Sequence, residues 1–272
     1  MDVLPIRVQT QTIEKGIVYT STGQGDLLLD LYIPEESKNP YWVIWVHGGA
    51  WHSGTKDNPP SAFLKLGYAL ASVDYRLSVG KPFSAMIHDI KAAIRFLRAN
   101  ADKYGYQDRK IIITGSSAGG HLAALVGTTN NHKDLEGTLG SQLNISSSVQ
   151  LILDFYGPRN FKTILSQSTP HGIKVRALAL LLSKPVEKVP ELAELASPVF
   201  HIDASDPPIF IAHGDQDIQV PVNQSLELKA KYKKLGLNVE LEIFSGAGHS
   251  SKQVFTPKLI EQVDKFIKRN FD

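Results

Sequence analysis

The sequence predicts an α/β protein: a mostly parallel central sheet covered by helices on both faces, with a small helical insertion. Three observations carry this. Short apolar or β-branched runs alternate along the chain with helical patterns. Trp42-Val43-Ile44-Trp45-Val46 is continuously apolar, as expected of a strand buried on both faces. Finally, Lys110-Ile111-Ile112-Ile113-Thr114 runs through Gly115-Ser116-Ser117-Ala118-Gly119 into the helical pattern His121-Leu122-Ala123-Ala124-Leu125-Val126. That strand, sharp turn and helix make the context of a nucleophile elbow.

In chain order, Leu27 to Ile33 reads as an early strand, ended by Pro34 and a polar loop to Pro40. After the apolar strand at Trp42, Ala69 to Val73 is the next strand. Met86, Ile90, Ile94 and Leu97 give the stretch from Phe83 to Tyr104 a helical spacing. Beyond the elbow, Val149 to Leu153 and Pro208 to Ala212 are two further strands, separated by an interval too long for a simple crossover. That interval holds helical patterns at Val175 to Leu182 and Glu191 to Leu195. We read residues at about 159–203 as a cap-like helical insertion over the sheet's carboxyl edge, where substrate pockets commonly lie, within one domain spanning 1–272. A helix (Ser225 to Leu235), a strand (Val239 to Ile243) and a helix (Lys258 to Lys268) close the chain.

Composition narrows the function by exclusion. With 29 basic and 27 acidic residues the formal charge is +2, and no block of like charge suggests a nucleic-acid or membrane partner. The absence of cysteine rules out a disulfide framework, a thiol nucleophile and a thiolate metal site. No basic segment followed by an apolar one opens the sequence, so no export signal is expected, and the compartment stays open. The nine histidines show no metal-ligand spacing, and the glycine-rich stretches lack the marks of a phosphate or dinucleotide loop. Neither metal nor cofactor is expected, and the oligomeric state is left open.

The residues point to nucleophilic catalysis by an activated serine. A serine hydroxyl is a poor nucleophile until a base takes its proton, and that base needs a third group to hold its tautomer. Ser117 sits at the elbow, His249 in a glycine-rich loop after the last strand, and Asp217 after the strand before it. Asp215 is the rival acid; lying nearer the strand end, it is expected to shape the turn. The order Ser117, Asp217, His249 is the order used by α/β-hydrolases. An oxyanion intermediate needs preorganised N–H donors, each worth on the order of 3 kcal/mol. His47-Gly48-Gly49-Ala50-Trp51 follows the apolar strand, and the amides of Gly49 and Ala50 would join that of Ala118. Trp51 could equally wall the acyl pocket or fill core. Asp74, Arg76 and Asp89 are expected to form a paired network beneath this loop, His47 to brace it, and His121 to be a packing histidine.

Together with Asp74-Tyr75-Arg76-Leu77, Asp154-Phe155-Tyr156-Gly157-Pro158, Ser197-Pro198-Val199 and His213-Gly214-Asp215-Gln216-Asp217, these motifs resemble α/β-hydrolase esterases of the bifunctional feruloyl and acetyl xylan esterase type. Hormone-sensitive-lipase-like and kynurenine-formamidase-like esterases are similar. The resemblance runs from about residue 16 to the C-terminus and implies Ser117, Asp217 and His249 as the triad. It also implies a small-molecule or carbohydrate ester, acetylated or feruloylated, as substrate. The sequence departs from the pattern at Ala50, in place of a third glycine, at Asn160, where an aspartate is frequent, and at His52, where a basic residue is frequent. An aryl-formamidase would share the elbow and the Gly-Gly loop. A non-catalytic binder on this fold would tend to lose the base histidine, which this chain keeps as His249.

Overall fold

Alternation along the strands decides which layer each helix joins. A computed structural model describes residues 11–34, 41–105, 110–130, 132–168, 175–249 and 251–271. Among them β1 (Gln11–Thr22), β2 (Gly25–Pro34), β3 (Trp42–Val46), β4 (Ala69–Val73), β5 (Ile111–Ser116), β6 (Leu151–Phe155), β7 (Ile209–Gly214) and β8 (Val239–Phe244) form one sheet in the order β1-β2-β4-β3-β5-β6-β7-β8. The pairs β1/β2 and β2/β4 are antiparallel; from β4 to β8 every pair is parallel.

Successive side chains of a strand point to opposite faces, so the parallel strands feed two cores. Trp42, Ile44 and Val46 enter one, with Ile111, Ile113, Ile209 and Ile211; Val43, Trp45, Ile112 and Phe210 enter the other. The first core is closed by α1 (Ala85–Ala99) through Met86, Ile90, Ile94 and Leu97, and by α2 (Ala118–Gly127) through Leu122, Leu125 and Val126. It is extended by α3 (Val175–Leu182), α4 (Pro190–Leu195) and α5 (Asn223–Lys234). The second is closed by α6 (Pro257–Phe271) through Leu259, Val263, Phe266 and Ile267, with Phe63 of the short helix Ala62–Lys65. The result is the α/β-hydrolase fold, with the carboxyl ends of β3, β5, β6, β7 and β8 along one edge.

Two differences from the sequence expectations have physical causes. The edge strand β1 was not foreseen: most of its residues are exposed, Glu14, Lys15 and Gly16 interrupt any alternation, and its register with β2 shifts at two places. The helix expected through Tyr104 ends at Ala99, with Ala101–Tyr104 a separate short helix closed by Gly105 at φ +72°. The chain start, the loop to Pro40, residues 169–174 of the expected insertion and Ser250 lie outside the described residues. Among those described, no helix is long and apolar enough to cross a membrane.

Candidate active site

The elbow depends on two glycines that admit backbone where a side chain would collide. A Cβ on Gly119 would lie 2.0 Å from the Val46 carbonyl oxygen, and one on Gly115 would lie 2.4 Å from the Gly119 carbonyl carbon. Their absence lets the end of β3, the end of β5 and the start of α2 close on one point. At that point Ser117 takes φ 56° and ψ −120°, a left-handed conformation costly for a non-glycine residue, and its amide donates to the Phe155 carbonyl at 2.9 Å.

The loops after β7 and β8 bring the two other residues to it. His249 Nε2 lies 2.8 Å from Ser117 Oγ, and His249 Nδ1 lies 2.6 Å from Asp217 Oδ2. The carboxylate can only accept, so the imidazole proton sits on Nδ1, and Nε2 is left to receive the serine hydrogen. Asp217 Oδ1 accepts the amides of Gln219 at 2.8 Å and Val220 at 2.9 Å, and Oδ2 is also 3.2 Å from His213 Nε2. Burial opposes the charge on Asp217, but the bonds from His213, His249 and Val220 outweigh it and hold the carboxyl well below the usual carboxylate range. Asp215 takes the turn role instead, with Oδ1 accepting the Gly246 amide at 2.7 Å. Tyr156, at φ 44°, presents its ring edge-on to His249 with centroids 4.9 Å apart; burial pushes its phenol up to about 12.

The loop after β3 runs left-handed through Gly49 (φ +111°), Ala50 (φ 51°) and Trp51 (φ 62°). His47 braces it, donating from Nδ1 to the Gly48 carbonyl at 2.7 Å and stacking on Tyr75. The expected three-residue network below is a pair: Arg76 and Asp89 form a bidentate contact, whereas Asp74 accepts the Lys56 amide at 2.7 Å. Trp51 is buried, at 5% exposed, and also lines a cavity beside Ser117.

That cavity, about 40 Å³, is bounded by Ala50, Trp51, Ala118, His249 and Leu178 of α3. A second and more open space of about 330 Å³ also borders Ser117, against Gly49, His52, Ser116 and Tyr156. Of the departures from the family pattern, His52 lines the open space, whereas Asn160 is buried and donates to Glu227. Among the described residues, no group of three or more His, Asp or Glu side chains could hold a metal ion.

His121 is buried and fully engaged. Trp51 Nε1 donates to its Nδ1 at 3.0 Å, and its Nε2 donates to the Ala196 carbonyl at 2.7 Å. Burial lowers its pKa to about 4, so the folded chain keeps it neutral. A group that binds its proton less readily when folded stabilises the fold above its unfolded pKa, and that stability is lost as pH falls. For His121 the window runs from about 6.5 down to about 4, and the loss is on the order of 3 kcal/mol. We expect urea unfolding across this window to show a shallower pH slope in His121→Gln than in the parent; an equal slope would contradict the buried neutral state.

The residues that sequence reasoning left unassigned are His213, Ser225, Arg159 and Asp154, which lie buried behind Asp217. Three of them sit in or beside quoted motifs, but nothing in the sequence shows that they meet.

A model of the BD-FAE family matches residues 29–232. Esterase LipC of Mycobacterium tuberculosis is 30% identical over 214 residues, covering 76% of this chain and 52% of LipC. The chain spans about half the length of the curated relatives it matches. Among solved structures, a truncated form of a carbohydrate esterase from gut microbiota superimposes with a TM-score of 0.87 at 30% identity, over 98% of each chain. A thermophilic esterase of Thermogutta terrifontis with propionate bound gives 0.74 at 25% identity, over 98% of this chain and 96% of that one.

Proposed function

The chain belongs to the BD-FAE family of α/β-hydrolase esterases, and on that premise we propose that it cleaves small acyl esters, carbohydrate esters above all, through Ser117, His249 and Asp217. The carrying observation is the unbroken run of hydrogen bonds from Ser117 Oγ through His249 to Asp217, at 2.8 and 2.6 Å. His249 takes the serine proton as Oγ attacks the carbonyl carbon, and Asp217 stabilises the imidazolium that forms. The amides of Gly49, Ala50 and Ala118 receive the oxyanion. Collapse expels the alcohol, which takes its proton from His249, and water then repeats the sequence on the acyl-enzyme. In this reading residues at about 159–203 are a cap-like insertion on a single domain. Carbohydrate as the alcohol is supported by the gut-microbiota esterase. Assaying purified protein against acetyl, butyryl, feruloyl and formamide substrates tests the reading: turnover of the formamide alone would replace it with an aryl-formamidase.

The two spaces beside Ser117 divide the substrate. The smaller and less open cavity of about 40 Å³ suits a short acyl chain, and the more open space of about 330 Å³ suits a bulky alcohol. An acyl methylene gains about 0.8 kcal/mol only where apolar surface can receive it. We therefore expect kcat/KM to be highest from acetyl to butyryl p-nitrophenyl esters and to fall beyond them. A rise continuing to long acyl chains would show that Trp51 and α3 do not close the pocket.

A further inference from the structure

Asp217 is backed by a buried chain of polar groups whose hydrogens can be assigned one after another. Arg159, in the loop after β6, donates from Nε to Asp154 Oδ2 at 2.7 Å and from Nη1 to Ser225 Oγ at 2.8 Å. A guanidinium has only donors, so Ser225 Oγ accepts here and its single hydrogen is free to turn elsewhere. It turns to His213 Nδ1, 2.6 Å away. Nδ1 is therefore an acceptor, and the His213 proton sits on Nε2, facing the Val220 carbonyl at 2.8 Å and Asp217 Oδ2 at 3.2 Å. Both of these accept. The opposite tautomer would set the Nε2 lone pair against two acceptor oxygens and take the Ser225 hydrogen away from Nδ1.

We propose that His213 is a positioning residue for ester cleavage: with its tautomer fixed by Ser225 and Arg159, it locks the Asp217 carboxylate in place and shares it with His249. The proposal rests on the esterase reading above. Arg159, Ser225 and His213 come from the loop after β6, from α5 and from β7, so three separate elements fix one oxygen atom. Burial lowers the His213 pKa against the pull of Asp217, which leaves a donor without a charge. A charged donor at this place would compete with the His249 imidazolium for the carboxylate; a neutral N–H orients it and draws off only part of its electron density. Losing that N–H makes Asp217 a stronger partner for the imidazolium, so the acid limb of the activity profile should move to higher pH. The ionisable groups that act on Asp217 and His213 are His249, Tyr156 and Arg159, with Asp154 paired to Arg159.

The test is the pH profile of kcat/KM on p-nitrophenyl acetate for the parent, His213→Leu, His213→Gln and Ser225→Ala. In His213→Leu the acid limb should rise by about half a pH unit, and kcat should fall by about tenfold or more. His213→Gln, which restores an N–H donor, should bring the limb back towards the parent's position. Ser225→Ala removes the donor to Nδ1, one of the groups that hold the tautomer and the ring, and should move the limb in the same direction as His213→Leu, by less. The position of a limb does not depend on how much protein is folded, so a less stable variant still reports, and Ser225→Ala decides if His213→Leu cannot be purified. Limbs that stay at the parent's position in His213→Leu and Ser225→Ala would overturn the proposal. The esterase reading would survive that outcome as long as the parent hydrolyses the ester and Ser117→Ala does not.

Discussion

Ser117→Ala is expected to lower kcat on p-nitrophenyl acetate by about a millionfold with the fold intact, because members of a cooperative triad act as one unit. The fold should tolerate the change. The Ser117 hydroxyl bonds to His249 Nε2, and His249 borders an open space from which water can take that place, while the strained elbow backbone is held by Gly115, Gly119 and the Phe155 carbonyl. Circular dichroism and urea unfolding should match the parent. Any residual rate should come from the oxyanion-facing amides and from binding. Activity within tenfold of the parent would remove Ser117 from the reaction.

The next largest effect separates two acids two residues apart. Asp217→Asn should cost about ten-thousandfold in kcat near neutral pH. Two amide N–H groups, from Gln219 and Val220, hold one oxygen of this side chain, so an asparagine would keep its oxygen there and turn its NH2 towards His249 and His213. Facing a donor, His249 Nδ1 must accept; its proton moves to Nε2, and the base can no longer take hydrogen from Ser117. Asp215→Asn should keep most of its kcat, because the Gly246 amide can bond to an amide oxygen as well as to a carboxylate. If Asp215→Asn were the inactive variant and Asp217→Asn the active one, the acid would be Asp215.

What could be read from the sequence was what local pattern controls. β3 and β4 have their observed bounds in the sequence because strands buried on both faces leave unbroken apolar runs. Ser117, Asp217 and His249 were singled out because each follows a strand, and in the structure His249 stands within hydrogen-bonding distance of both others. β1 was not legible: it is an exposed edge strand held by pairing rather than by burial. Nor was the chain from Asp154 to His213. His213 and Ser225 are 12 residues apart, Arg159 and Ser225 66, and such contacts follow from packing β6, β7 and α5 together. His121 was assigned correctly to packing, but its bond to Trp51 spans 70 residues and no local pattern announces it.

The bond between His121 and the Ala196 carbonyl bears on how such a protein can diversify. The groups that meet at Ser117 come from short loops after β5, β7 and β8, whereas the wall of the small cavity formed by Ile164, Ala177 and Leu178 comes from the long excursion between β6 and β7. That excursion is tied to the loop carrying Trp51 through His121, and the atom it offers is a backbone oxygen. Every amino acid has one. The cavity-lining side chains of the excursion can therefore be changed with the tether retained, as long as the buried Ala196 keeps its place. The cavity wall and the groups proposed to react therefore occupy stretches of chain that selection can alter separately, and a library confined to Ile164, Ala177 and Leu178 is expected to sample new acyl preferences while leaving Arg159 and the groups around Asp217 in place.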